Sequence, residues 1–465
     1  MEMFPIRVRY SSWLLHRPVI LAFIVISLTS VTASVLAGPK HITPGENHLA
    51  SRLLLMDDEE LLSIISKKAF DYFWHEANPH NGLIPYSCAE DSPCSIAAVG
   101  LGLSAIPVGI ERGWISREEG YGRIVTTLST LSSDRIQRTN GFFYQLLDMN
   151  EGIRFQKSKV SSMDTCILIA GALFAGEFFS QTAVQDLAYE LYSAVNWQWM
   201  MNHGETLARN WTPESGFEDA RWDSFDESLL MYILAMGSPT YPVPASIWHR
   251  IRRPVRGNYI FVPHESLTSY ILPHIWLNLK AREDYYANYW NNVVSAARYN
   301  RIYSMLRSCE SKTHTRDLWG LGPCEGPKGY QVYGASADYY HGVFAPYASI
   351  GCIPFSPFAS MQAAREILKK HGDRIWGKYG FTSGFKADGK WWSETYHGIS
   401  VGLILLMIEN YRTGLVWKYV ACNEQIQAGL NRAEFCTSKI YQAVTPVYLG
   451  EVKDKHYSWD FSPTN

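Results

Sequence analysis

The sequence predicts an all-α chain whose helices pair antiparallel around a double ring. Three observations carry this. Roughly ten to twelve segments place apolar residues at offsets of three and four, while no sustained strand-like alternation occurs. Three of these segments, 95–110, 161–179 and 399–408, are apolar nearly all round, as helices buried on every side must be. Long connections rich in Gly, Pro and Trp join the helices, and such loops gathered at one end of a ring can build a site. A superhelix of stacked helix pairs would share the first feature, but no repeat of ~34 or ~40 residues is present.

Taken in order, Arg7, Arg9 and Arg17 precede an uncharged stretch over 19–35, and Val35 and Ala37 are spaced like a signal-peptidase site. Residues 1–37 therefore read as a secretory signal peptide, with an uncleaved signal anchor in the membrane as the alternative. Residues 38–56 read as an extended leader. Asp57 and Asp58 open a helix with Leu61, Leu62, Ile65, Ala69, Phe70 and Phe73 on one face. Ser116 opens another, with Glu118 and Glu119 in its first turn, where acids suit the helix dipole. Residues 141–154 read as irregular or β. Ser161 and Ser162 cap a long apolar helix, 182–201 is amphipathic, and 202–224 is a loop dense in Trp, Gly, Pro and Asp. Helices follow over 226–236, 266–280, 283–307, 338–350, 357–371, 398–412 and 424–441, with a Pro-rich link at 241–254 and a Gly/Pro-rich loop at 308–337.

The 465 residues carry 42 Lys+Arg against 44 Asp+Glu, a formal charge of −2 without a long run of one sign. That balance excludes a nucleic-acid footprint, which needs a basic face. Apolar residues at 47% and charged residues at 18% exclude disorder for the bulk of the chain. The 16 Trp and 28 Tyr equal the acids in number; they serve a large core, and amphipathic rings also suit the flat faces of sugars. Eight cysteines fit an oxidising compartment, with local bridges expected at Cys88–Cys94, Cys309–Cys324 and Cys422–Cys436. Cys166 reads as a buried thiol. Without zinc spacing, a phosphate loop or a Gly-x-Gly-x-x-Gly string, no metal, nucleotide or other cofactor is expected.

Several strings together carry a family resemblance: Phe70-Asp71-Tyr72-Phe73-Trp74, Asn81-Gly82-Leu83-Ile84-Pro85, Glu111-Arg112-Gly113-Trp114-Ile115, Ala235-Met236-Gly237-Ser238-Pro239-Thr240 and Ile408-Glu409-Asn410-Tyr411-Arg412-Thr413-Gly414-Leu415. With Ser95–Gly100 and Asp164-Thr165 they resemble the glucoamylase-like domain family that includes bacterial endo-β-1,2-glucanases. The resemblance implies an (α/α)6 toroid over 57–420, with 421–465 as a C-terminal extension. It also implies a cleft at one end of the ring that takes an oligo- or polysaccharide, a β-linked glucan.

Glycoside hydrolysis requires two carboxylates. In Trp222-Asp223-Ser224-Phe225-Asp226-Glu227 the glutamate aligns with the family's general acid, although the two residues before it differ from the family's Tyr-Asn. The family's Gly-Ile-Asp-Gln-Gly reads Gly398-Ile399-Ser400-Val401-Gly402, so the expected base is a serine. An Asp-Gly-Thr loop reads His341-Gly342-Val343, and of another block only His274 and Trp276 remain. Candidate replacements for the base are His341, whose imidazole titrates near neutrality, and Glu394, close before Ser400. Asp164, Trp222, His274, Tyr340, Trp391 and Trp392 are candidate substrate-binding residues, with Tyr339 and Tyr396 beside them. Two readings follow: a secreted glycoside hydrolase with a relocated base, or a catalytically inactive relative that binds a glycan or another partner. A serine nucleophile at Ser400 is disfavoured, since no strand precedes it.

Overall fold

The computed structural model describes residues 52–308, 316–386 and 388–438, all within the compact unit Gly45–Asn465. The expected signal segment, most of the leader, Cys309 and the tail from 439 lie outside the described residues.

Six inner elements form the ring: α2 (Ile96–Glu111), α4 (Ser162–Phe178), α6 (Leu229–Gly237), α7 (Thr268–Ile271, continued by a 3₁₀ turn), α9 (Pro346–Ile350) and α11 (Gly398–Arg412). Six outer helices clothe it: α1 (Asp58–His75), α3 (Arg117–Ser132), α5 (Ala183–Ser193), α8 (Tyr289–Arg307), α10 (Pro357–Ile375) and α12 (Glu424–Arg432). Among the inner elements α2 packs on α4, α4 on α6, and α11 on both α9 and α2. This is the (α/α)6 toroid expected. The inner helices are apolar all round because each meets a neighbour on both sides and an outer helix behind; every residue of α6 is buried.

Close approach depends on glycine in two places. A Cβ on Gly171 would stand 1.9 Å from the Gly100 carbonyl oxygen, so α2 and α4 meet backbone to backbone. A Cβ on Gly237 would stand 2.1 Å from the Gln425 carbonyl oxygen, which lets α12 seat against α6. Between α6 and α7 the chain itself supplies no α-helix, only the 3₁₀ turn Ala245–Arg250 and a short hairpin over 255–260, so α12 fills the outer position there. The stretch treated as an extension from 421 is thus part of the ring as far as Arg432.

Local departures have physical causes. The helix expected over 338–350 is helical only in α9: Gly342 adopts φ +69, Val343–Phe344 pairs as a strand, and Pro346 can only start a helix. The expected leader ends in packed chain, with Leu53 buried and Arg365 donating to the Leu54 and Met56 carbonyls. Cys88, Cys94, Cys422 and Cys436 are free thiols rather than bridged pairs. Cys94 is buried in a strand paired with Leu147, while the Cys88 sulfur accepts from the Tyr396 amide. Among the described residues no helix is long and apolar enough to cross a membrane.

Candidate functional site

The inner elements present their N-terminal ends to one another, and a chain of side-chain contacts runs around that end. The Trp222 indole donates to Ser162 Oγ (2.9 Å), Ser269 Oγ donates to Glu227 Oε2, and Thr268 Oγ1 and the Tyr347 hydroxyl pair at 2.8 Å. These bonds link the starts of α4, α6, α7 and α9. The positive ends of several helix dipoles therefore converge where negative charge collects.

One wall holds Asp164, Trp222, Asp226 and Glu227. Ser161 caps α4, accepting from the Asp164 amide (3.1 Å) while its hydroxyl donates to Asp164 Oδ2 (2.5 Å). Burial pushes Asp164 up to about 6, partly offset by the Ser161 bond. Asp226 is buried, accepts from the Ser228 amide (2.9 Å), and is pushed up to about 7, first by burial and then by the neighbouring Glu227 charge. Arg209 lies 3.6 Å from Asp226 and stacks its guanidinium 4.1 Å from the Trp222 ring centre. Glu227 itself is half-buried, with Ser269 as its hydroxyl donor. His264 faces the charges of Glu227 and Arg209; burial lowers its pKa and Glu227 opposes that shift.

The opposite wall is built by the hairpin β1 (Cys324–Gly326) and β2 (Gly329–Gln331). Glu325 stands opposite Tyr330 in its register, so both side chains share a face. Glu325 Oε2 accepts from Ser393 Oγ and Thr395 Oγ1, each at 2.5 Å. The rings of Tyr86 and Tyr330 meet His397 at 4.8 and 5.3 Å. Tyr330 keeps 42% of its surface accessible, yet the surrounding protein desolvates its hydroxyl enough to push the pKa far up. Accessibility and deep enclosure together are the property of a cleft wall. Tyr330 is in the field of Asp164, and Tyr86 in the fields of Glu325 and Asp164. Tyr347, fully enclosed, faces both Glu227 and Tyr86. The tyrosines thus lie between the two acidic walls.

Of the residues singled out in the sequence, Asp164, Trp222 and Glu227 are brought together. The others go elsewhere. His341 is exposed, its ring edge-on to Tyr333 at 6.0 Å, and Glu394 is exposed. His274 is not on the binding surface: it is buried between Phe355 (5.2 Å) and Trp290 (6.0 Å), where desolvation lowers its pKa to about 3. Tyr340 turns to Tyr303 on α8 (5.6 Å). In the strand Trp391–Trp392 side chains alternate; Trp392 meets Arg374 of α10 (5.2 Å) and Trp391 stays half-exposed on the other face. Tyr339 stands edge-on to His264 at 5.9 Å, while Tyr396 is buried against Tyr379. Ser400 is buried in the first turn of α11. Glu325, His397 and Arg209 were not foreseen. The one available signal was an acid inside Gly322-Pro323-Cys324-Glu325-Gly326-Pro327, a segment whose turn residues promise a hairpin tip. Among the described residues no cluster suited to a metal occurs.

A helical toroid with carboxylates, tyrosines and a tryptophan at one end is an architecture this chain shares with glucoamylase-like domains. The comparisons agree. The Glycoamylase family model, described as "Putative glucoamylase", matches residues 219–424. The exo β-1,2-glucooligosaccharide sophorohydrolase (non-reducing end) of Parabacteroides distasonis is 26% identical over 422 residues, 82% of this chain. The chain spans 58% of that relative's length. The endo-β-1,2-glucanase of Chitinophaga pinensis, solved with sophorotriose and glucose, superposes with a TM-score of 0.75 at 27% identity, covering 82% of this chain and 99% of that one. A Bacteroides uniformis structure bearing the same description as the family model gives 0.77 at 27% identity, covering 82% and 98%. The resemblance read from the sequence, to glucoamylase-like domains of the β-1,2-glucanase kind, is borne out.

Proposed function

We propose that this protein is a glycoside hydrolase acting on β-1,2-linked glucan outside the cytoplasm, with Glu227 as the general acid. The observation that carries the reading is the setting of Glu227. It is a half-buried carboxylate at the cleft end of the ring, held by a hydroxyl rather than by an arginine. An acid that must hand its proton to a leaving oxygen needs to be positioned without being locked in an ion pair. The Tyr86–Tyr330 pair offers rings to sugar faces, and Arg209, which covers the buried Trp222 ring, offers a polar partner to hydroxyls. A relative of similar length and fold, the endo-β-1,2-glucanase of Chitinophaga pinensis, supports the choice of linkage. The segment 1–37 supports export.

The second reading, a glycan-binding protein without catalysis, is favoured by one observation: the acid expected in the first turn of α11 is Ser400. Incubating the protein with β-1,2-glucan and with sophoro-oligosaccharides, and measuring reducing ends from pH 4 to 9, decides between them. Release of reducing ends supports the hydrolase. Retained binding with no release at any pH supports the binding protein and overturns our reading.

A further inference from the structure

The carboxylate absent from α11 has a counterpart on the facing hairpin. Glu325 reaches residues 393–397, the strand end and turn that lead into α11, although it lies about seventy residues earlier in the chain. Its backbone amide is anchored as well, donating to Ser383 Oγ at 3.1 Å. A Cβ on Gly384 would stand 2.7 Å from the Glu325 carbonyl oxygen, so that glycine permits the approach. The Thr395 hydroxyl that serves Glu325 lies 3.4 Å from His397 Nε2. His397 is the N-cap residue of α11, and Ser400 stands three residues on, over the same first turn. The His397 Nδ1 atom is buried without a hydrogen-bond partner among the described residues. Thus a carboxylate, two hydroxyls and an imidazole gather at the helix end where the acid is missing, across the tyrosines from Glu227.

We propose that Glu325 is the general base of this cleft, taking over the role that Ser400 cannot fill, with Thr395 and His397 as positioning residues. The inference rests on the hydrolase reading above. In the step, Glu325 takes a proton from a water molecule as the water oxygen bonds to the anomeric carbon. The glycosidic C–O bond breaks, its electron pair stays on the leaving oxygen, and Glu227 supplies that oxygen's proton. The hydroxyls of Ser393 and Thr395 bind Oε2 and leave Oε1 without a donor among the described residues, so one oxygen is steadied and the other can accept.

The test compares the protein with its Glu325→Gln and Glu227→Gln variants on sophoro-oligosaccharides and on a nitrophenyl β-sophoroside. A good leaving group needs no acid but still needs a base. We expect both variants to lose about 10³-fold in kcat on the oligosaccharide. On the nitrophenyl substrate Glu227→Gln should recover most of its rate and Glu325→Gln should not. A Glu325→Gln rate within about threefold of the parent, or a defect that disappears with the nitrophenyl substrate, overturns the assignment while leaving the hydrolase intact. A parent inactive on both substrates overturns the hydrolase reading itself. Thr395→Val provides a second measurement that does not remove the carboxylate. Losing a hydrogen bond to the charged form raises a carboxyl pKa, so the acidic limb of the kcat/KM profile should move to higher pH. An unmoved limb at full activity overturns the assignment.

Discussion

The two ends of the inner ring treat their carboxylates differently. At the open end Glu227, Asp164 and Glu325 are each met by serine or threonine hydroxyls. At the far end Glu409, near the end of α11, is 1% exposed and gripped by Arg112, with Nε and Nη2 both at 2.8 Å and the Thr413 hydroxyl at 2.6 Å. There, too, the Asn410 amide donates to the Ile275 carbonyl, and the Trp417 indole to that of His274. A hydroxyl partner orients a carboxylate and leaves its charge available; a guanidinium in a closed pocket commits that charge to holding helices together. Under the function proposed above, the same chemical group thus does chemistry at one end and architecture at the other.

The contrast can be broken from either side. Glu227→Gln should cost about 10³-fold in kcat on β-1,2-glucan with the melting temperature nearly unchanged. Calorimetry and reducing-end release on one preparation check this. Glu409→Ala should do the reverse. It strands Arg112 and should lower unfolding stability by roughly 3 kcal/mol, read by denaturant titration, with turnover per folded molecule preserved. A smaller effect sharpens the picture by pH. Asp226, pushed to about 7, and Asp164, to about 6, hold protons in the fold at pH values where the unfolded chain has released them. The native state then binds more protons than the unfolded one, so their contribution weakens as pH rises from about 4 to about 7. Asp226→Asn should flatten that fall, raising the melting temperature at pH 8 but not at pH 4. Least of all, His341→Ala and Glu394→Gln, both exposed, should change turnover by less than about twofold in the same assay.

The ring was legible because its cause is local. A helix enclosed on all sides must be apolar on all sides, and 95–110, 161–179 and 399–408 declare this without reference to anything distant. The placing of Glu227 just before α6, at the open end of the ring, was legible through the short string around it. Glu325 was not, because its meaning depends on residues 393–397, which only the hairpin brings near. His274 misled for the opposite reason. The residue type is the expected one, but the α7 turn directs it into the aromatic core. In the Trp391–Trp392 pair, strand alternation splits two identical neighbours between faces, which composition cannot foretell.

The seating of α12 on α6 bears on how the chain can be trimmed. Asn423 caps α12 and also donates to Glu177 at the end of α4, and Arg432 donates to the Met236 carbonyl at the end of α6. A stop codon or a proteolytic nick before residue 424 would unclothe the helix whose first turn follows Glu227. The cleft end of that helix would then lose its support although every cleft residue was still present. The Cys436–Thr437 strand pairs with Arg282–Glu283 and ties the segment after α12 back to the ring, so it belongs with the part of the chain that cannot be trimmed.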